Sequence, residues 1–385
     1  MQSLRPSCSP IQMQKYRDLK GGKIEMDDNQ STAGAASPIE GIQIIRADQE
    51  HAVDVLRLLK GAAQWMLSCG IKQWNPEQFT EQAIAGYFVD RQVYLAVDGT
   101  EAVGMFTLQF SDLQYWGDLN DESYAYLHRL AVDVTRRGQG LGEAMLQFAV
   151  RQARVLGCKA LRFDTVAHNI KLNRYYQGLG FHYKGTRDMG AGRLVNLYEH
   201  FEQARGHAKV LLRYISPADF EQLKRWSPSA EYLKQWAGPS FRYPLDEEQL
   251  KHYIEGSNHS AESESLIYSA VHSATGQVIG HISLSAIDRE NHSARISRVM
   301  VDPEFQGRGA GTAMVKEVLR ISFDALRLHR ISLGVFEYNT AALKIYEACG
   351  FRREGNKRES ALFNGQYVDC IELSLLDREW RGDAT

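Results

Sequence analysis

The chain has little from which to build a covalent framework. Its five cysteines, Cys8, Cys69, Cys158, Cys349 and Cys370, are scattered and form no Cys-x-x-Cys pair. An odd count at wide spacing argues against a disulfide scaffold and makes a reducing cytoplasm the expected compartment. No run approaches the roughly 18 consecutive apolar residues of a membrane span, and residues 1–25 lack the apolar core of a signal peptide, so no membrane association is expected. Neither sign of charge is in excess: 45 Lys and Arg against 47 Asp and Glu give a net charge of −2. The broad basic footprint that grips phosphate backbones is missing, and nucleic acid is not an expected partner. No group of His, Cys, Asp and Glu shows the spacing of metal ligands, so no metal is expected.

What the chain does have is a repeat. Arg137-Gly138-Gln139-Gly140-Leu141-Gly142 returns 169 residues later as Gln306-Gly307-Arg308-Gly309-Ala310-Gly311, each time between a strand-like run and a helix-like run. Upstream, Leu130-Ala131-Val132-Asp133 is matched by Val299-Met300-Val301-Asp302. Downstream, Asn169, Tyr176 and Phe181 are matched at an offset of 170 by Asn339, Tyr346 and Phe351. One glycine pattern this loose carries little weight in a chain with 32 glycines. Two copies in register make a tandem repeat of one nucleotide-cofactor unit.

A length of 385 residues allows two or three domains, each able to bury a core. Residues 1–40 are polar, lack periodicity and are expected to be disordered. Within them, Lys20-Gly21-Gly22 is what a purine-rich ribosome-binding sequence would encode, which makes Met26 a candidate start. The first domain is expected over 41–203 and the second over 204–385, joined by a polar linker at 200–208. Each opens with a strand, Ile42–Arg46 or Val210–Arg213, followed by helical spacing; Ser216-Pro217-Ala218-Asp219 is a helix start with a capping Ser and Pro in the first turn. Each then offers a hairpin, Val93–Val97 with Ala102–Leu108 around Asp98-Gly99, and Leu266–Val271 with Val278–Leu284 around Ser273–Gly276. Strands alternating with helices set the fold class as α/β, two similar units in tandem.

After each glycine loop, apolar residues recur at helical spacing: Leu141, Met145 and Phe148, then Met314, Val318 and Ile321. Each helix therefore starts at a loop whose glycines let backbone N–H groups approach a ligand. Those groups and the positive end of the helix dipole together suit a pyrophosphate. Other phosphate binders do not fit, because no Lys-Ser or Lys-Thr follows the glycines and no acidic residue stands about 20 positions on.

Each half, over 42–200 and 209–376, resembles the GNAT superfamily of acetyl-CoA-dependent N-acyltransferases. The resemblance rests on the two glycine loops, the Asn169 and Asn339 segments, and the pairs Tyr176/Phe181 and Tyr346/Phe351 with Gly180 and Gly350 before each Phe. It implies two mixed-sheet domains with helices on both faces. It also implies acetyl-CoA as cofactor, its pantetheine arm lying where two neighbouring strands splay apart: Tyr124–Val132 from Leu161–Val166, and Arg295–Val301 from Ile331–Phe336. Cofactor contacts are then expected from Leu130, Val132, Arg137, Gly138, Gly140, Gly142 and Asn169, and from Val299, Val301, Gln306, Gly307, Gly309, Gly311 and Asn339. The backbone N–H groups of Leu130 and Val299 would face the thioester oxygen. Tyr176 and Tyr346 would stand near the sulfur as acids for the departing thiolate.

A base for the incoming amine is supplied unequally. His128 shares a strand face with Tyr126 and Leu130, where an imidazole can take the amine's proton directly or through water; this stretch resembles serotonin N-acetyltransferases. The equivalent positions in the second half hold Arg295 and Ser297, neither of which serves as a base, leaving Asp288, Glu290, Glu337, a water chain or nothing. Residues 111–123 hold Asp112, Asp118, Asp121 and Glu122 with Tyr115 and Trp116 and no Lys or Arg, a segment able to attract a cationic amine; Trp65 and Trp74 are candidates to wall the same pocket. The expected substrate is a small-molecule or peptide amine. The second half resembles the branch that includes ribosomal-protein N-terminal and spermidine acetyltransferases, through Leu328-His329-Arg330, the 350–355 segment and Gly365-Gln366-Tyr367-Val368-Asp369. Two alternatives follow: a second half that acetylates protein N-termini or polyamines beside a silent first half, or a non-catalytic acyl-CoA sensor.

Overall fold

The computed structural model describes residues 39, 41–71, 73–200 and 210–380. Apart from Ile39, the segment expected to be disordered lies outside the described residues, as does the expected junction at 203–204. Fourteen strands are described in two sheets of seven. Half one contributes β1 Ile42–Arg46, β2 Gln92–Asp98, β3 Glu101–Gln109, β4 Ala125–Val132, β5 Leu161–Val166, β6 Phe181–Asp188 and β7 Leu194–His200. Half two contributes β8 Val210–Tyr214, β9 Leu266–His272, β10 Val278–Asp288, β11 Ser293–Val301, β12 Arg330–Phe336, β13 Arg352–Phe363 and β14 Gln366–Leu376. The order β1-β2-β3-β4-β5-β7-β6 is repeated as β8-β9-β10-β11-β12-β14-β13. In each sheet the central pair, β4 with β5 or β11 with β12, is parallel and the other ladders are antiparallel. The expected hairpins form, although the first turns at Gly99-Thr100, one place beyond Asp98-Gly99, with Gly99 at φ 60°.

Strand alternation feeds two cores per sheet. On β2, Tyr94 and Ala96 face the helix Leu141–Val155, whereas Val93 and Leu95 face the helix Ala52–Ser68. On β9, Tyr268 and Ala270 join the first of these cores and Ile267 packs with Phe220 and Trp236 on the other side. The helix Ala310–Arg320 repeats the role of Leu141–Val155. Its Met314 sits so close to the sheet that a β-carbon on Gly280 would lie 2.7 Å from Met314 Sδ and 2.8 Å from the Met300 carbonyl oxygen. The thioether can swing away, but the backbone oxygen cannot. Gly280→Ala is therefore expected to cost about 1–3 kcal/mol, read as a lower urea midpoint with an unchanged slope.

The two halves share one core, in which Phe181, Tyr183 and Tyr198 of half one pack with Tyr214, Tyr268 and Phe323 of half two. Polar contacts cross between them. The Tyr214 N–H donates to Gln177 Oε1 at 2.9 Å, Arg174 Nη1 donates to the Ile215 carbonyl at 3.1 Å, and Ser260 Oγ donates to Asn196 Oδ1 at 2.7 Å. Glu317 accepts from His182 at 2.8 Å and from Arg320 at 2.8 and 3.0 Å, while Arg320 Nη1 reaches the Tyr183 carbonyl at 3.2 Å.

Candidate functional site

The site begins with a defect in a strand. β4 bulges at Arg129, φ 57°, and β11 at Arg298, φ 53°. At each bulge the ladder to the preceding strand slips, between Met105 and Thr107 and between His281 and Ser283. The parallel ladder on the other side ends early. β4 pairs with β5 only at Ala125–Leu161 and Tyr126–Arg162, and β11 with β12 only from Ser293–Arg330 to Arg295–Ser332. Leu130 and Val132, like Val299 and Val301, thus lie on a stretch of strand without a parallel neighbour, where an extended ligand can add.

The strand leads into the glycine loop. Gly138 and Gly140 have φ 76° and 78°, Gly307 and Gly309 have 71° and 82°, and a β-carbon on any of the four would meet nothing within 4 Å among the described residues. The left-handed backbone requires glycine, and the space beside it is open to a ligand. Gly140 and Gly309 cap the helices Leu141–Val155 and Ala310–Arg320, so the first-turn N–H groups lack intrahelical acceptors at these loops. Gly142 and Gly311 differ: they lie inside the helices, and a β-carbon on Gly311 would stand 3.0 Å from Ile345 Cδ1 and 3.6 Å from Val301 Cγ2. The smallness of Gly311 sets how closely its helix approaches the next one, whereas a β-carbon on Gly142 would make only an ordinary 3.7 Å contact with Val132 Cγ2. The Arg137 guanidinium lies 3.3 Å from the centre of the Trp65 ring, while Gln306 Nε2 donates back to the Val301 carbonyl at 3.1 Å. Trp65 therefore braces the loop, and Trp74 packs edge-on to Phe79 beneath Arg129.

In half two a cleft of about 990 Å³ runs from this loop along the open strand. Every half-two residue singled out in the sequence as a cofactor contact or acid lines it. Its volume is at the top of the range for small-molecule sites, and its donors are backbone N–H groups at a helix start. Open αL glycines, an unpaired strand and a cleft of this size fit a coenzyme A thioester. Asn169 and Asn339 cap the next helices, accepting from the N–H groups of Leu172 at 3.0 Å and Ala342 at 3.2 Å. Tyr176 contacts Phe163 and Phe181, and Tyr346 is buried against Phe351. Burial raises both phenols well above their ordinary pKa and keeps them protonated.

In half one, three distant residues converge where β4 and β5 part. His128 Nε2 stands 3.1 Å from Asp112 Oδ2, and His128 Nδ1 stands 4.0 Å from Asp164 Oδ1. The shorter contact is poorly angled for a hydrogen bond, and neither of its atoms has another hydrogen-bond partner among the described residues. Asp164 is pushed up to about 6, by burial first and by Asp112, against the opposing pull of His128. Spacing in the sequence showed no ligand set, yet donor atoms of these three residues lie within 4.8 Å of one another, close enough to hold a metal ion. The two carboxylates nonetheless address opposite nitrogens of one ring, an arrangement suited to passing a proton. Asp164→Asn is expected to stabilise the protein. A folded pKa above the ordinary 3.8 means stability is lost as pH rises through about 6, so the gain is on the order of 1–3 kcal/mol at pH 8 and vanishes by pH 4, read by urea unfolding at both pH values.

The acidic segment divides in two. Asp112 and Tyr115 face His128, whose ring lies 5.9 Å from that of Tyr115. Asp118 pairs with Arg187 and Asp121 with Lys159, and Trp116 is core, packed on Tyr126. In half two, Asp288, Glu290 and Glu337 do not line the cleft, whereas Glu372 does. Asp164 and Glu372 are the functional candidates missed by sequence reasoning. Asp164 left a signal, since Arg162 and Asp164 share one face of a strand whose other face is Leu161 and Phe163.

Twice over, the chain builds one α/β unit in which a splayed strand feeds a glycine-capped helix. The chain belongs to the acetyltransferase (GNAT) family, whose model matches it over residues 59–181 and again over 230–351. It is 36% identical over 101 residues to the L-amino acid N-acetyltransferase AaaT of Escherichia coli, covering 26% of this chain and 62% of that protein. It is 34% identical over 110 residues to the spermidine N(1)-acetyltransferase of Vibrio cholerae, covering 29% and 63%. The matched stretch thus spans about three fifths of the length of these curated relatives. A crystal structure of spermidine N-acetyltransferase from Vibrio cholerae in complex with CoA and spermine aligns at 25% identity and a TM-score of 0.40, over 45% of this chain and 98% of that one.

Proposed function

We propose that the chain transfers an acetyl group from acetyl-CoA to the amine of a small cationic or aromatic molecule, in half one, by direct reaction in a ternary complex. The observation that carries this reading is the Asp112, His128 and Asp164 cluster at the mouth of a splayed strand pair. Acetyl-CoA supplies an acyl group activated as a thioester. The loop N–H groups of 138–142 hold its diphosphate, with Val132 and Asn169 along the arm, and the Leu130 N–H holds the carbonyl oxygen as negative charge develops. Asp112 and Asp164 attract the ammonium, and His128 takes its proton. As the N–C bond forms and the C–S bond breaks, the Tyr176 hydroxyl donates to the departing sulfur. Both relatives bear names of amine acetyltransferases, which supports the reaction class.

A second reading places transfer to protein N-termini in half two, through Val299, Asn339 and Tyr346, and is favoured by the cleft there. A thiol-release assay of the full chain with acetyl-CoA and a panel of arylalkylamines, polyamines and peptides tests these readings. Turnover is expected with at least one cationic or aromatic small amine. Saturable acetyl-CoA binding with no thiol released across the panel would instead make the chain a sensor of acyl-CoA.

A further inference from the structure

The two halves share a backbone site but not its charge. Thr107 pairs with His128 and its hydroxyl bonds the His128 carbonyl at 3.2 Å; Ser283 pairs with Ser297 and does the same at 3.0 Å. The ladders therefore set His128 against Ser297 and Tyr126 against Arg295. On the next strand Asp164, facing Leu197, is set against Gly334, facing Glu372. Half two has thus lost both the imidazole and the β5 carboxylate. The vacated space is refilled from neighbouring strands: a β-carbon on Gly334 would meet Cys370 Sγ at 3.0 Å, Glu372 Oε1 at 3.1 Å and Arg295 Nη2 at 3.3 Å.

The refilled cluster has the opposite charge. Arg295 donates to Glu372 at 3.0 and 3.3 Å and Lys357 donates to it at 2.7 Å, so one carboxylate serves two cations. Burial would raise the Glu372 carboxyl, but these two partners outweigh it and hold the group below the ordinary range. Arg295 and Lys357 remain 41% and 63% exposed and so have donors to spare for a ligand. Arg298 also lines the cleft; its Nη2 donates to Ser240 Oγ at 3.0 Å, and its buried Nε has no acceptor among the described residues. Lys357 is not part of the cleft lining and adjoins it through Glu372. A polyamine would be repelled here; a carboxylate would be gripped by charge-assisted bonds.

We infer that half two takes an amine bearing a free carboxylate, of amino-acid or dipeptide size, with that carboxylate on Arg295 and Lys357. The inference rests on the acetyl-transfer reading and adds a second acceptor class to it. The size follows from the strand: Arg295 stands four residues from Val299, at most about 13 Å at 3.3 Å per residue and less across the bulge at Arg298, and its side chain shortens that span further.

The test is calorimetric titration of the full chain, saturated with CoA, with α-amino acids and glycyl dipeptides, each against its C-terminal carboxamide. At least one acid is expected to bind about 10-fold more tightly than its amide, and Arg295→Gln to abolish that preference. Lys357→Gln, on an exposed side chain, is expected to reduce it without endangering the fold. Amides that bind as well as acids, a preference that survives both substitutions, or binding of neither series would overturn the inference. CoA titrated alone separates the two failures: without CoA binding the transfer reading falls, and with it only the carboxylate assignment does.

Discussion

Replacing His128 by Gln is expected to slow acetyl transfer to a small amine by about 100- to 10,000-fold, the usual contribution of a positioned general base. The affinity for acetyl-CoA should stay unchanged, because the cofactor contacts proposed above are assigned to the glycine loop, Leu130, Val132 and Asn169. Gln fills similar volume and keeps a polar group opposite Asp112, so the loss reports proton transfer rather than packing. The pH profile sharpens the result. Asp164, pushed up to about 6, is kept in the variant, so a step near pH 6 should remain in both profiles while the level of the variant's rate falls. A variant within about threefold of native activity would remove His128 from the mechanism and leave Asp164 or solvent as base.

The second large effect is on stability. Glu317 is expected to cost about 3–5 kcal/mol when replaced by Ala, because His182 and Arg320, whose side chains are only 9% and 19% exposed, would then lose their carboxylate. Burial alone would raise the Glu317 pKa, but Arg320 and His182 reverse this and hold it far below the ordinary carboxylate range. The sign is that of a depressed acid: its contribution is present above the unfolded-state pKa near 4.5 and is lost as pH falls. Glu317→Ala and native chain should therefore differ most at neutral pH and converge on acidification. Since His182 and the Tyr183 carbonyl belong to half one, both halves should be weakened, with urea unfolding moving to a lower midpoint. A loss below about 1 kcal/mol would show that the contact behaves like an exposed pair.

The parts of the site closest to the backbone were the most legible in the sequence. Glycines at 138, 140, 307 and 309 are dictated by left-handed φ, and Asn169 and Asn339 by the need to cap a helix, so both left local signatures. Sequence offset also paired Leu130 with Val299. Gly311 belongs to the same motif and lines the cleft, but it also lets its helix approach closely, which is visible only once Val301 and Ile345 are placed against it. Partners supplied across strands were not legible. Asp164 meets His128 because β4 and β5 adjoin before they part, and Glu372 enters its cleft because glycine stands at 334 on the neighbouring strand. Trp65 was expected beside the acceptor and instead supports Arg137. The bonds between halves, His182 with Glu317 above all, link residues 135 apart with no shared motif.

The twin amide cradles are tested most directly by calorimetry on the full chain with CoA and, separately, with pantetheine, which keeps the arm and lacks the diphosphate. Saturable heat with CoA and none with pantetheine at the same concentrations is the expected result. No heat with CoA, or equal affinity for both, would contradict the assignment of the glycine-capped helix ends as the grip on the coenzyme.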